Sequence, residues 1–456
     1  MIHYYKLLGK NIVLDVFSGA VHVLDDVAYD VVAYFGQDFV REQACPAGLL
    51  EALGSKYGEA AVRGAYEEIC GLYDAELLYT TDIYEEYAKN IEKNSVVKAM
   101  CLHIAHDCNL RCKYCFADTG SFHHGRSMMS AEVGKKAIDF VIQNSGKRKN
   151  IEIDYFGGEP LMNFGVVKEI TEYAKEQGAK HGKNFRFTIT TNGLLLDEAK
   201  KAYINENMSN IVLSLDGTKE VNDRVRVRVD GSGSYDSIVP KFQDIAESRG
   251  QDNYYVRGTF TAYNLDFAKD VLHLADLGFE QTSVEPVVAP YEEPYALREE
   301  HLPKIYEEYE KLAAEYVARR KNGKPFSFFH FMIDLSQGPC VIKRMSGCGS
   351  GHEYVAVTPD GDIYPCHQFV GNEDFKMGSV LDGSFDETIK NRFQRSNVYT
   401  KDACRDCFAK FYCSGGCPAN AYNFNKDIDK PYKLACDMER KRVECALAIA
   451  ACLSEE

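Results

Sequence analysis

The sequence predicts an α/β protein built around a partial (β/α)6 barrel of the TIM type, with a small domain before it and a cysteine-rich domain after it. Two observations lead to this prediction. Six strand-like segments alternate with helical segments between residues 96 and 290, which is typical of a parallel sheet with crossover helices. The 456-residue chain also has 16 cysteines, of which none lies in 116–339 and eight lie in 340–436. Six β/α units are too few to close an eight-stranded barrel, so we expect a partial one.

Residues 1–95 are predicted to form a separate small domain. Its turn residues and apolar periodicity indicate strands at 11–16 and 20–24 and later helices at 48–56 and 58–73. Asp25 or Asp26 can cap a further helix directly after the second strand. A hairpin with helices of this size resembles the winged-helix peptide-recognition element of peptide-modifying enzymes, and a plain accessory domain is the alternative.

The barrel is assigned to residues 96–290. Its strands are predicted at 100–105, 151–156, 185–190, 210–215, 254–261 and 281–288. Helical segments fill the gaps, as at 131–143. In such sheets the chemistry lies at the C-terminal ends of the strands.

Two further regions follow the barrel. Residues 291–339 are predicted to bridge the modules through a charged amphipathic helix at 297–322. Residues 340–456 are predicted to form a metal-binding domain that ends in a long helix.

Composition excludes several classes of protein. The net charge is −15 and no block is rich in Lys or Arg, so a nucleic-acid partner is not expected. No segment has the length of a membrane span, and the N-terminus lacks the layout of a signal peptide, so we expect no membrane partner and a cytoplasmic location. In that compartment so many cysteines indicate metal ligation rather than disulfides.

The loop after the first barrel strand offers three thiols at the spacing C-x3-C-x2-C, from Cys108, Cys112 and Cys115. A [4Fe–4S] cluster takes up to four thiolates, so three leave one iron without a protein ligand. That iron can chelate the amino and carboxylate groups of S-adenosylmethionine. A zinc site would need a fourth ligand, and buried thiols are the other alternative. The position at the mouth of the first strand favours the cluster.

This loop resembles the signature of the radical S-adenosylmethionine (radical SAM) superfamily, in which the cluster cleaves the cofactor to a carbon radical. Further matches lie at later strand ends. Gly157, Gly158 and Glu159 match the motif that holds the methionine amino group, and the glycines are expected to let the backbone approach the cofactor. The resemblance implies that the cofactor contacts are Tyr114, Gly157, Gly158, Glu159, Asn192, Ser214, Arg226 and Val287.

Several of these contacts have a stated role in the family. Ser214 and Arg226 match contacts to the ribose or carboxylate, and Val287 matches an apolar adenine contact. Tyr114 matches the aromatic position before the third cysteine. Turn chemistry is the alternative for Ser214 and for Asp216.

The second cysteine region matches the pattern of a SPASM domain, which carries two auxiliary [4Fe–4S] clusters. The resemblance assigns an outer cluster to Cys404, Cys407, Cys413 and Cys436, and an inner cluster to Cys348, Cys366 and Cys417. Three [4Fe–4S] clusters and S-adenosylmethionine are therefore the expected cofactors. A zinc ribbon is the alternative for the segment from Cys404 to Cys417.

The inner set has three members, and two readings of Cys340 remain open. Cys340 is either the fourth ligand or a buried thiol, and in the second case one iron stays open to a substrate thiol. His367 stands where some sulfatase-maturing relatives have an acidic base directly after the cysteine that matches Cys366. The remaining five cysteines lack ligand spacing and are read as core residues, namely Cys45, Cys70, Cys101, Cys445 and Cys452.

The whole chain resembles the SCIFF (six cysteines in forty-five) peptide maturases. That resemblance implies a thioether between a cysteine sulfur and a carbon of an acceptor residue, typically threonine, in a ribosomally made peptide bound through its leader. It also implies a reducing partner such as flavodoxin or ferredoxin. The alternatives are another peptide oxidation or carbon–carbon crosslink and, from a different class, a non-catalytic zinc-binding interaction protein.

Overall fold

The computed structural model describes residues 1–90, 95–123, 125–333, 335 and 344–454. The N-terminal region has an antiparallel sheet with the order β1-β2-β3 and four helices. These are β1 (Ile2–Leu7), β2 (Lys10–Asp15), β3 (Val21–Leu24), α1 (Asp26–Phe35), α2 (Ala47–Tyr57), α3 (Glu59–Asp74) and α4 (Tyr84–Asn90). The predicted hairpin and helices are confirmed to within two residues. Asp25 rather than Asp26 caps α1, since its side chain accepts a hydrogen bond from the amide of Ala28 at 2.8 Å.

Strand β1 was not predicted. Its sequence, Ile-His-Tyr-Tyr-Lys-Leu, does not alternate cleanly between apolar and polar residues, because both faces of the sheet are covered. Ile2 and Val13 pack with the helices of the N-terminal region. Leu14 belongs to a cluster that includes C-terminal residues.

The predicted six-stranded parallel sheet of the partial barrel is confirmed. Between β4 and β12 the chain forms β4 (Ala99–His106), β5 (Leu110–Cys112), β6 (Ser127–Met128), α5 (Ala131–Asn144), β7 (Asn150–Gly157), α6 (Phe164–His181), β8 (Asn184–Thr191), α7 (Glu198–Asn207), β9 (Asn210–Ser214), α8 (Lys219–Val225), β10 (Arg226–Arg228), α9 (Tyr235–Ser248), β11 (Tyr254–Phe260), α10 (Phe267–Asp276) and β12 (Gln281–Pro286). The barrel strands run in the order β12-β11-β9-β8-β7-β4.

The barrel sheet continues into the C-terminal region. The chain goes on through α11 (Leu302–Lys321), β13 (Ser327–Phe328), β14 (Tyr354–Val357), β15 (Asp362–Tyr364), β16 (Gly378–Ser379), β17 (Ser384–Phe385), α12 (Glu387–Arg395), α13 (Asp402–Arg405), α14 (Lys410–Cys413), α15 (Pro418–Asn425) and α16 (Lys433–Leu453). Strand β14 pairs in parallel with β4, and β15 pairs antiparallel with β14. The hairpin therefore brings Cys366, two residues after β15, towards the barrel.

The bridging helix α11 lies within the predicted 297–322 and buries Ile305, Leu312 and Ala313 as expected. Of the five cysteines read as core residues, Cys45 is partly exposed and the other four are buried. Among the described helices, none is long and apolar enough to cross a membrane.

Candidate active site

A cavity of about 290 Å³ opens at the C-terminal ends of the barrel strands. The three cysteines of the first loop line it together with seven of the eight residues that the sequence assigned to the cofactor, which are Tyr114, Gly157, Gly158, Asn192, Ser214, Arg226 and Val287. Glu159 is not among the lining residues. The structure thus brings together, at one mouth of the barrel, motifs that are separated by more than a hundred residues.

A two-stranded ribbon fixes the cysteine loop. Strand β5 pairs antiparallel with β10, which places Cys112 opposite Arg226. The amide of Lys113 donates to the carbonyl of Val225 at 3.0 Å and extends the same ladder. Because β10 also carries Arg226 into the cavity, the ribbon sets the loop and this cation at a fixed separation.

The glycine pair also allows a close approach of two backbone segments. A Cβ on Gly158 would lie 2.1 Å from the carbonyl oxygen of Asp107, and Gly157 adopts a φ of +119°. The amides of Gly158 and Glu159 donate to the carbonyls of Ala105 and Asp107. The missing side chains therefore make room for the backbone that leads into the cysteine loop.

Glu159 lies behind the cavity wall and is 1% exposed. Its carboxylate accepts hydrogen bonds from the Thr191 hydroxyl and the Asn192 amide at 2.8 Å and from the Leu161 amide at 3.0 Å. Burial raises the pKa of Glu159 to about 7. In this structure Glu159 joins the ends of β7 and β8, and so positions the next residue of the wall, Asn192.

The Asn192 side chain faces the cysteine loop. Its Nδ2 donates to Asn109 Oδ1 at 2.8 Å and lies 3.6 Å from Cys108 Sγ. Burial raises the pKa of the Cys108 thiol to about 12 and that of Cys112 to about 11. Binding of iron would remove these protons, since only the thiolate is a ligand.

Asp216 holds two of the cavity residues and was missed as a site residue. Tyr114 Oη donates to its carboxylate at 2.7 and 2.9 Å, and Arg226 Nε lies 3.0 Å from the same group. Burial alone would lower the pKa of Arg226, but Asp216 raises it well above its usual value. The Ser-Leu-Asp-Gly segment was the signal, but only its Ser214 was assigned to the cofactor, and turn chemistry was given as the alternative for Ser214 and Asp216.

The opposite wall carries Arg257, Glu285 and His367, which sequence reasoning did not place in the cavity. Arg257 and Glu285 lie on neighbouring strands with 3.6 Å between their charged groups. Glu285 also lies 3.1 Å from His330, and these two partners lower its pKa even though burial opposes the shift.

His367 brings the C-terminal region into the cavity. Its ring lies 5.1 Å from that of Phe156 and 5.5 Å from that of Phe116, and burial lowers its pKa to about 4. Since His367 directly follows Cys366, the cavity extends from the cysteine loop to the residue next to one thiol of the inner set.

The C-terminal thiols fall into the two expected groups. The pKa of Cys366 is raised to about 12 by burial and, after it, by the neighbouring Cys417 and Cys348. The pKa of Cys413 is raised to about 12 by burial, by Glu439 and by its neighbours Cys436, Cys404 and Cys407. Cys340, whose role was left open, lies outside the described residues.

These donor sets suit iron–sulfur clusters, because each consists of thiols alone. In the part of the chain that the structure describes, no three His, Cys, Asp or Glu side chains are close enough to hold a single metal ion.

Comparison with known families agrees with this geometry. Residues 102–286 match the radical SAM superfamily, and residues 348–408 match the SPASM iron-sulfur cluster-binding domain. The chain therefore combines a radical SAM domain with a SPASM domain.

The chain is also similar to individual proteins of this organisation. It is 26% identical over 337 residues to a cysteine-type anaerobic sulfatase-maturating enzyme of Clostridium novyi, an alignment that covers 69% of this chain and 86% of the relative. Its fold resembles that of anSMEcpe with bound AdoMet and a Kp18Cys peptide (TM-score 0.64, 19% identity, 78% and 98% of the two chains). It also resembles SuiB of Streptococcus suis with bound S-adenosylmethionine (TM-score 0.51, 16% identity, 94% and 97%).

Proposed function

We propose that this chain is a radical SAM/SPASM enzyme that forms a thioether within a ribosomally made, cysteine-rich peptide. The bond joins a cysteine sulfur to a carbon of an acceptor residue, for which we propose threonine. The observation that carries the proposal is that one cavity is lined both by the three-cysteine loop and by His367 and Gln368, which directly follow Cys366. A peptide segment in this cavity can present a carbon to the first site and a sulfur to the second.

When bound, the cluster and S-adenosylmethionine supply a carbon radical that removes a hydrogen atom from an unactivated carbon. Thioether formation removes one hydrogen from the acceptor carbon and one proton from the thiol. One electron leaves with the hydrogen atom, and we propose that the second leaves through the auxiliary clusters. The reducing equivalent that starts each turnover would come from a flavodoxin or ferredoxin.

The inner thiols are proposed to receive the substrate sulfur. The three described members, Cys348, Cys366 and Cys417, leave a place for a fourth ligand, which either Cys340 or a substrate thiolate would fill. His367 offers an imidazole nitrogen at the cavity wall, where it can accept the thiol proton.

The N-terminal domain is proposed to bind the leader of the peptide by strand addition. Both β1 and β3 are edge strands, but the Gln37 side chain bonds the amide and carbonyl of Ile2 at 3.0 and 2.7 Å and covers part of β1. Strand β3 pairs only with β2 among the described residues, and its Val23 is 43% exposed. Strand β3 is therefore the edge that a leader would extend.

This assignment predicts weaker peptide binding in Val23→Lys, because a charge would face the apolar side chains of an added strand. A search of the reading frames beside the gene for a short cysteine-rich peptide supplies the ligand, and fluorescence anisotropy with a labelled synthetic copy measures the dissociation constant. Val40→Lys, at a position that is 66% exposed in the same domain, is the matched control. Equal affinities of the two variants would exclude β3 as the binding edge.

Mass spectrometry of the same peptide tests the proposed chemistry. After anaerobic incubation with the reconstituted enzyme, S-adenosylmethionine and a reductant, the product is expected to have lost two hydrogens. One of its cysteines should also resist alkylation, and fragmentation should place the crosslink between that cysteine and the acceptor residue.

Loss of two hydrogens with every cysteine still alkylated would instead support the alternative, another peptide oxidation or a carbon–carbon crosslink. The sulfatase-maturating relative gives that alternative its support. His367, which lines the cavity, stands in the sequence where some such relatives have an acidic base, and this difference argues against the same dehydrogenation chemistry.

A further inference from the structure

A buried lysine lies between the two auxiliary thiol sets. Lys401 is 3% exposed, and its Nζ donates to the carbonyl of Gly415 at 2.8 Å. Gly415 is two residues from Cys413 of the outer set and two residues from Cys417 of the inner set. The backbone of Lys401 is also tied to the outer set, because its carbonyl accepts the amide of Cys404 at 2.9 Å.

Among the described residues, no carboxylate forms an ion pair with Lys401 within 4.0 Å. The other buried lysine of this region differs in that respect. Lys410, at 2% exposure, has its Nζ 3.4 Å from Asp82 Oδ2 and 2.9 Å from the carbonyl of Arg405. A buried ammonium without a counter-charge is costly, so the surroundings of Lys401 require a negative group that the described carboxylates do not provide.

The thiolates of the neighbouring cysteines can supply this negative charge. The Lys401 side chain bonds the segment that joins Cys413 to Cys417, and its backbone bonds Cys404, so Lys401 adjoins members of both sets. A [4Fe–4S] cluster with thiolate ligands carries a net negative charge, which makes it a suitable counter-ion.

We propose that Lys401 is a positioning residue that serves as the shared counter-ion of the two auxiliary clusters and raises their reduction potentials. The proposal rests on the SPASM assignment of these cysteines and not on thioether formation. One-electron reduction makes a cluster more negative by one unit, so a nearby fixed cation stabilises the reduced state relative to the oxidised state. At an effective dielectric constant of about 20, a unit charge within about 12 Å of a cluster changes such an equilibrium at least about tenfold.

The test is a redox titration of the auxiliary clusters, followed by electron paramagnetic resonance, on the full-length chain reconstituted with iron and sulfide. The C108A/C112A/C115A background removes the signal of the first site. In Lys401→Met the midpoint potential of the auxiliary clusters is expected to fall by about 59 mV for one electron. At the midpoint potential of the parent, the ratio of reduced to oxidised cluster then falls about tenfold. Lys401→Arg keeps the charge and should restore the parent potential. Lys430→Met, at an exposed lysine of the same domain, is the matched control.

Iron content distinguishes the possible outcomes. An unchanged potential in Lys401→Met with full auxiliary iron would overturn the proposal. Loss of auxiliary iron in Lys401→Met but not in Lys401→Arg would support it, because the charge would then be needed to retain the clusters. Equal loss in both variants would contradict it, since the shape of the lysine rather than its charge would be required. Absence of auxiliary iron from the parent would overturn the SPASM assignment itself.

Discussion

Asp216 joins three parts of the active site without lining the cavity. Its carboxylate accepts a hydrogen bond from Tyr114 of the cysteine loop and forms an ion pair with Arg226 of the ribbon, and Oδ1 accepts the amide of Thr259 at 2.9 Å. All of these contacts are made at a fully buried carboxylate. Hydrogen bonds to charged groups are worth about 1.5–3 kcal/mol each, so this residue fixes the orientation of both cavity side chains.

Asp216→Asn is therefore expected to raise the KM for S-adenosylmethionine at least about tenfold in peptide-free cleavage, because the amide cannot accept at all the positions that the carboxylate serves. Tyr114→Phe removes only the hydroxyl and should have a smaller effect. Iron content should stay at the parent value in both variants. An unchanged KM in Asp216→Asn would show that Arg226 and Tyr114 hold their positions without this carboxylate.

At the scale of single residues, the cavity residues that the sequence identified stand in motifs or near strand ends, although Asp216 stands in a motif and was missed. Asn192, Ser214, Arg226 and Val287 lie at or after the C-terminal ends of predicted strands, and the structure places all four in the cavity wall. Arg257 is one charged residue within β11 and belongs to no motif. Side chains along a barrel strand face inward and outward in turn, and only this alternation could have identified residues such as Arg257 and Glu285. It can be applied only when the strand register is known.

The ribbon of β5 and β10 is the element that holds the cysteine loop in place. Since Lys113 donates to Val225, the antiparallel register makes Val227 and Arg111 the next hydrogen-bonded pair. The ribbon is three residues long on each side, so one lost pair removes much of its stability.

Val227→Pro is expected to release the loop, because proline removes the ladder N–H and disfavours the strand conformation. The reconstituted chain should then lose about four of about twelve irons and keep the auxiliary ones. Val229→Pro is the matched control, since Val229 occupies the second position of the turn closed by Arg228 and Gly231, where proline is favoured. Equal iron in both variants, measured after anaerobic reconstitution, would show that the ribbon does not hold the loop.

At the scale of elements, the six barrel strands were predictable because each has five to eight residues with an alternating or fully apolar pattern. The short ribbon strands were not, since three residues carry no periodicity. Strand β14 shows a different limit. Its four residues look like an ordinary hairpin strand, and nothing in them indicates that they pair with β4 and extend the barrel sheet.

In the whole molecule, the C-terminal region packs against both of the other modules. Its hairpin continues the barrel sheet, and α16 packs against α11 and the N-terminal sheet. Tyr5 Oη donates to the carbonyl of Glu444 at 2.8 Å, and Leu14 packs in one cluster with Phe411 and Leu447. Removal of residues 1–90 would therefore expose apolar surface, which makes single substitutions on β3 the better test of peptide binding.

The same arrangement separates the cysteine loop of the barrel from the C-terminal thiols. Cys108, Cys112 and Cys115 lie in the loop that the barrel and the ribbon hold, whereas the other two sets lie on C-terminal elements. A cluster on the first loop could therefore be removed without direct damage to the other two sets. We propose that this loop alone generates the radical.

This role can be measured as production of 5′-deoxyadenosine by the C108A/C112A/C115A variant. We expect no cleavage of S-adenosylmethionine, while about eight irons per chain remain in the auxiliary clusters. Cleavage at the parent rate by this variant would show that the radical is generated elsewhere.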